Sequence, residues 1–403
     1  MSTSPGHLLL HFTPNGAYGP GLDAKELLVL ERGEGPYVFD TAGRRYVDGL
    51  SSLFCCQIGY SYGEEMAAAA AAQLTRLPFN TNWATAHPPA IELADALVAR
   101  APQGIEGVFF TSGGSESVEA AWKLARQYHL ANGEPQRTKA IAREIAYHGV
   151  TLGALSLTGV PRFKEPFGRP AIETRHVANT NPFRQPLADE ALTARLLAEL
   201  EAAIAEEGPD QVAIVIAEPI QNAGGCLVPP PGYWAGLREI CDRHGILLVA
   251  DEVISGCGRL GEWFAVERYG GRPDLITIAK GLTSGYAPMG AVLAGERVVA
   301  ALRRPGAPLL HGITFGGHPL AAAIALRNVE IFERDGVLAN VRRLEPYLRA
   351  RLDEEVRPLP LVGDVRGDGF FFAAELTPDG GEGRFEPDDV ARLVREIVPP
   401  LLL

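Results

Sequence analysis

Two short apolar runs in this chain each end in a residue able to do chemistry. Ile246 to Ala250 leads straight into Asp251 and Glu252, and Asp274 to Ala279 leads into Lys280 followed by Gly281. Read as buried strands of one sheet, they set a carboxylate and an amine at neighbouring strand ends. Burial there disfavours the ammonium form, which frees a lysine amine to attack a carbonyl. A buried carboxylate is costly without a cationic partner, and a protonated ring nitrogen is such a partner. The pair therefore suits pyridoxal 5'-phosphate, with Lys280 as the Schiff-base amine and Asp251 on the pyridinium. Once released from that bond, Lys280 can also move a proton between the substrate α-carbon and the cofactor. Val253, two residues beyond Asp251, is expected on the same strand face, pressed against one face of the ring.

Other residues extend the pattern. Phe109 to Ser117 reads as a strand, a tight loop through Gly113 and Gly114, and a helix start. Free backbone N–H groups at such a point favour a phosphate, and Ser115 adds a hydroxyl donor. A second Gly-rich turn, Ile313 to Pro319, offers Thr314 to the same phosphate. Tyr147 closes the run Ile141 to Ala146 and is placed to stack on a planar heterocycle. His148 beside it reads as a hydrogen-bonded support rather than a catalyst. Glu218 follows Val212 to Ala217 and precedes Pro219, which ends the strand and turns the carboxylate toward the cleft rim, where it orients its neighbours. The segment Gly256 to Gly261 matches the dinucleotide pattern GxGxxG. Too short a helical stretch follows it, and Asp251 and Glu252 precede it where an anion would sit, so that reading is set aside.

Composition narrows the function classes. The chain has 403 residues, 46% of them hydrophobic, enough for a large core and more than one structural unit. A formal net charge of -12 repels a polyanion, which argues against a nucleic-acid partner. The cysteines, Cys55, Cys56, Cys226, Cys241 and Cys257, form no CxxC pair, as in a reducing cytosol, and Cys55 and Cys56 read as small core residues. No basic start precedes the short apolar stretch Leu8 to Leu10, and no run reaches the ~20 apolar residues of a membrane span. The expectation is a soluble cytoplasmic protein.

These residues need elements to position them. Short apolar runs alternate with helical patterns: strands at Val108 to Thr111, Lys139 to Ala146 and Val212 to Ala217, and helices at Ser117 to His129, Leu192 to Glu207 and Trp234 to His244. Strands separated by helices predict a mostly parallel sheet covered on both faces, with ligands at the carboxyl ends of the strands. Pro36 to Asp48 carries a hairpin signal outside that sheet. Helices near Leu320 to Arg334 and Asn340 to Glu355, then a strand around Gly369 to Leu376, close the pattern. The expected division is an N-terminal segment, residues 1–60, and a C-terminal part, residues 311–403, forming a smaller α+β domain on a large domain of residues 61–310.

With these residues in place, the chain resembles the class III aminotransferases among the fold type I pyridoxal-phosphate enzymes, nearest to their ω-amino acid and amine:pyruvate transaminase branch. The segments that carry the resemblance are LLVADEVISGCGRLGEWF, PDLITIAKGLTSGYAPMGAV, FFTSGGSESVEAAWKLAR, AYHGVTLGA, AEPIQNAGGCLVPPPGYW and HGITFGGHPLAAA. The resemblance implies a seven-stranded, mostly parallel sheet, an internal aldimine on Lys280, Asp251 on the pyridine nitrogen and Tyr147 on the ring. It also implies that Gly114 and Ser115 hold the phosphate, with Thr314 reaching it from a neighbouring subunit, so that a homodimer is the smallest active unit. Phe54 and Trp83 correspond to stretches that line the substrate pocket. The implied reaction passes an amino group from an ω-amino acid or amine to a keto acid such as pyruvate. Rival readings on the same residues are an aminomutase or decarboxylase, and a pyridoxal-binding protein impaired in catalysis. Gly113 stands where many relatives have serine, which leaves more of the phosphate to backbone donors. The family's later strand, helix and carboxylate-binding arginine have no counterpart before the chain stops at Leu401-Leu402-Leu403.

Overall fold

The computed structural model describes residues 6–18, 27–307 and 309–396. The terminal Leu401-Leu402-Leu403 lies outside the described residues. A small antiparallel sheet comes first: β1 (Leu30–Glu34), β2 (Tyr37–Asp40) and β3 (Arg45–Val47), with the expected hairpin between the last two. The main sheet follows in chain order as β4 (Ile105–Thr111), β5 (Lys139–Arg143), β6 (Glu173–Val177), β7 (Val212–Ala217), β8 (Leu247–Asp251), β9 (Leu275–Ile278) and β10 (Gly290–Gly295). A pair, β11 (Val362–Asp368) and β12 (Phe371–Leu376), completes the strands among the described residues.

The seven-stranded sheet has the order β4-β10-β9-β8-β7-β5-β6. Strands β9, β8, β7, β5 and β6 are mutually parallel, while β10 runs antiparallel to both β9 and β4. Two reversals cancel, so β4 points the same way as β9. The carboxyl ends of β4, β5, β7, β8 and β9 therefore share one edge, the edge at which ligands bind in such sheets.

Every residue of β7, β8 and β9 is buried, as expected of apolar strands covered on both faces. Alternation sorts their side chains. Leu248, Ala250, Ile276 and Ile278 pack with the helices Asp189–Glu207 and Tyr233–His244, whereas Leu247, Val249 and Leu275 pack with the helix Gly114–Ala131. That helix presents Val118, Ala121, Leu124 and Ala125 along one stripe, and the small alanines let it lie close on the sheet.

The structure departs from the sequence reading in instructive places. Strand β5 stops at Arg143 rather than Ala146, because Ile145 turns the chain at φ 54°. Strand β6, with the polar run ETRHV, is a half-exposed edge strand without an apolar signal. Strand β10, GAVLAG, is built of small residues and was not apparent by pattern. The GxGxxG segment opens no helix: it is a series of turns ahead of a short 3-10 helix, Ala265–Tyr269. Cys55 and Cys56 are half-buried rather than core residues, and all of the cysteines are free. No helix among the described residues is long and apolar enough to cross a membrane.

Candidate active site

Strand β8 ends in Asp251, which is 4% exposed. In the parallel register Asp251 lies opposite Thr277 of β9, on the same sheet face. The Thr277 hydroxyl donates to Asp251 Oδ1 at 3.0 Å, and the Val253 N–H donates to the same oxygen at 3.1 Å. Oδ2 is 2.7 Å from His148 Nδ1. A carboxylate only accepts, so this contact assigns the proton to Nδ1. His148 is fully buried, and its backbone N–H donates to the Thr158 hydroxyl at 2.9 Å. Three donors thus fix the carboxylate, and its remaining lone pairs open on a cavity.

Lys280 begins just past β9, where it takes φ 40° and turns the chain into a short 3-10 helix. Its Nζ lies 5.6 Å from the centre of the Phe54 ring. Burial pushes its pKa down, against the opposite pull of the Cys55 thiol and the Asp251 and Glu218 carboxyls. The amine is thereby easier to deprotonate than a surface lysine.

Lys280 and Asp251 line one cavity of about 500 Å3, together with Gly114, Ser115, Tyr147, Glu218, Val253 and Phe54. Eight of the residues singled out in the sequence thus converge on a single space. Gly114 opens the long helix after β4, and a Cβ there would come within 2.7 Å of Val253 Cγ1, so only glycine lets the helix start approach. The Ser115 hydroxyl accepts the Val150 N–H at 3.0 Å, which leaves its own proton to donate elsewhere. Gly149, at φ 122°, passes so near this hydroxyl that a Cβ would strike it.

Two expected placements change. Val253 lies in the turn beyond β8, so strand alternation does not set its position; contact with Gly114 does. Glu218 is 4% exposed, within the cavity wall rather than at its rim. Its carboxylate accepts the N–H groups of Tyr147 at 3.3 Å and Asn222 at 2.9 Å, and its carbonyl accepts from Arg143 at 2.6 Å. It ties the ends of β5 and β7 together, and burial pushes its pKa up. The Tyr147 ring meets Phe163 edge-on at 6.2 Å.

Phe54 belongs to the segment Ser51 to Phe54, in which every φ is positive, between 45° and 69°. Left-handed backbone of this kind costs L-residues roughly 1–2 kcal/mol each. Edge-to-face packing of Phe54 on Phe371 of β12, at 5.5 Å, holds the turn against the cavity. Trp83 and Thr314 do not join this space. Trp83, 61% exposed, lines a second cavity with Phe109, Phe110 and His311, and Thr314 lies exposed beside it.

Glu252, just past the end of β8, gives its carboxylate to partners other than those of Asp251. It accepts the Val266 N–H at 2.6 Å and the Ser255 hydroxyl at 2.7 Å. No cation pairs with it among the described residues, and burial pushes its pKa up to about 7 from the usual 4.5. The folded form therefore holds a proton that the unfolded chain has released, and this contribution to stability is full below pH 4.5 and lost as pH rises through about 7. Glu252→Gln keeps an acceptor for Val266 and offers an NH2 to Ser255. Its expected effect is a gain of roughly 1–2 kcal/mol at pH 8 that vanishes near pH 4, read by urea denaturation at both values. A gain equal at the two pH values would show that charge burial is not the cause.

The site gains sense from its relatives. The family model for aminotransferase class-III matches residues 20–396. The probable aminotransferase Rv3329 of Mycobacterium tuberculosis is 48% identical over 399 residues, covering 98% of this chain and 84% of that protein. The putrescine–pyruvate aminotransferase of Pseudomonas aeruginosa is 40% identical over 380 residues, 93% of this chain and 83% of that one. Among solved structures, a thermostable (S)-enantioselective omega-transaminase from Thermomicrobium roseum superposes with a TM-score of 0.91 at 40% identity, covering 96% of this chain and 86% of that one.

Proposed function

Because this chain belongs to the class-III aminotransferases, and is therefore an amino-transferring enzyme, we propose that it is a pyridoxal 5'-phosphate-dependent ω-transaminase that moves an amino group from an amine or ω-amino acid to a keto acid such as pyruvate. The observation that carries this reading is the convergence of Lys280 and Asp251, from adjacent parallel strands, on one cavity.

The residues present fit the cofactor. The open backbone at Gly113, where a Cβ would meet nothing within 4 Å, and the free proton of Ser115 suit a phosphate at the start of the helix Gly114–Ala131. Asp251, backed by His148, suits a protonated ring nitrogen, while Tyr147 and Val253 supply the flanking surfaces. When bound, the cofactor supplies an electron sink that stabilises negative charge on the substrate carbon. The protein's part is to hold and move protons. Lys280 Nζ, made less basic by burial, would hold the cofactor and, once free, would take and return the proton of the substrate carbon. Glu218 holds the Tyr147 backbone in place, and Phe54 borders the space left for substrate.

We also propose that the working unit is a homodimer or larger homo-oligomer. Thr314 and Trp83 lie apart from the Lys280 cavity of their own chain, beside a second cavity of about 960 Å3 edged by exposed apolar side chains such as Leu310. A second copy covering this face would bring these residues to its partner's site. The free cysteines suit a reducing compartment such as the cytoplasm.

Absorption spectroscopy tests the reaction. Adding pyridoxal 5'-phosphate should produce a visible band, an amine donor should bleach it, and pyruvate should restore it. A band that no donor bleaches, or product formed with no acceptor present, would favour a binding protein or a decarboxylase or mutase of the same fold.

A further inference from the structure

Four charged side chains, apart from histidine, border the cavity around Lys280: Lys280 itself, Asp251, Glu218 and Arg162. Both acids are buried in the wall, each 4% exposed, and neither offers a counter-charge to an anionic substrate group. Arg162 is different. It is exposed, on the short helix Pro161–Lys164, and makes no ion pair or hydrogen bond among the described residues. Its guanidinium lies 5.1 Å from the centre of the Phe163 ring. Phe163 is itself wedged between two other lining rings, Phe12 at 5.4 Å and Tyr147 at 6.2 Å. The cation is thus carried on an aromatic wall of the cavity, with its N–H fork uncommitted.

Resting on the transaminase reading above, we propose that Arg162 is the receptor for the carboxylate of the keto-acid or amino-acid substrate. A planar guanidinium offers two parallel N–H donors, which match the two oxygens of a carboxylate. Stacking on Phe163 limits the orientations it must give up on binding. A carboxylate held there keeps away from Asp251 and Glu218 while the carbonyl or amino carbon extends toward Lys280. Substrates without a carboxylate gain nothing from this contact. Arg162 is accordingly a specificity-determining residue that favours carboxylate-bearing partners over plain amines.

The two half-reactions of the cofactor-loaded enzyme separate these cases. Bleaching of the visible band by 1-phenylethylamine reports a partner without a carboxylate, and its recovery with pyruvate reports one that has it. In Arg162→Leu, the ratio of the half-saturation concentration for pyruvate to that for 1-phenylethylamine should rise at least ten-fold, with the limiting rate of recovery changed much less. Arg162→Lys, which keeps the charge but loses the fork, should recover part of the ratio. Titration of the unbleached enzyme with unreactive propionate should show binding weakened by a similar factor. An unchanged ratio, or equal loss for both partners, would overturn the proposal. Failure of the parent protein to bleach with any amine would instead overturn the transaminase reading.

Discussion

Lys280→Ala is expected to lower the turnover of the cofactor-supplied enzyme by roughly a thousand-fold or more, since general-base transfer alone contributes about a hundred- to ten-thousand-fold. The loss should fall on the rate rather than on the fold. Lys280 adopts φ 40° in the native chain, and alanine is no worse suited to that backbone than lysine. Removing an amine whose charged form is penalised by burial also removes a cost, so without added cofactor the variant should unfold thermally at or above the temperature of the cofactor-free parent. The combination is diagnostic: a structural lysine would lose stability and keep residual activity in proportion. A variant that turned over amines at even a tenth of the parent rate would remove Lys280 from the centre of the mechanism.

Asp251→Asn should cost roughly a hundred- to thousand-fold in turnover, the range found when one electrostatic partner of a reacting centre is removed. Three donors converge on the two oxygens of this carboxylate: the Thr277 hydroxyl, the Val253 N–H and His148 Nδ1. An amide has only one oxygen, so its NH2 must face a donor or force His148 into its other tautomer. Either outcome leaves a buried polar group unsatisfied, a loss of about 1–3 kcal/mol in stability. Loss of the negative charge also removes the reason for a ring nitrogen to remain protonated at this position. The cofactor should therefore be retained less tightly through gel filtration, and the visible band should shift. Parent-like turnover in Asp251→Asn would mean that the carboxylate serves the fold alone.

The contact between His148 and Asp251 shows where reading by pattern reaches its end. Both residues could be found at strand ends, and His148 could be read as a support. Their meeting depends on β5, β7 and β8 lying side by side with parallel direction, which places residues 103 apart in the chain at 2.7 Å. Thr277 is a similar case, since its role follows from the register of β9 against β8. Arg162 gave no signal at all. An arginine in a short turn with prolines nearby is an ordinary surface residue until the aromatic wall beneath it is seen.

Some expectations failed for local reasons that tertiary packing alone reveals. Alternation was expected to place Val253, but the strand ends at Asp251 and contact with Gly114 places it instead. The edge strand β6 is polar because one of its sides meets water, and β10 is small because it is inserted between β4 and β9 under the helix Gly114–Ala131. Neither has the apolar run by which a strand is recognised.

The amino-acid order by itself determined the alternation of strands and helices, the glycines at the turn before the helix Gly114–Ala131, and the identity of the amine and the acid. Each follows from side-chain period, backbone freedom or charge, properties that act over a few residues. Tertiary structure alone decided which strand ends share an edge, that His148 meets Asp251 and that Glu218 lies within the wall, that Trp83 and Thr314 stand apart from the site, and that Arg162 overlooks it. Those relations join residues far apart in the chain, and they are fixed by strand order and by side-chain packing between elements, which no local period encodes.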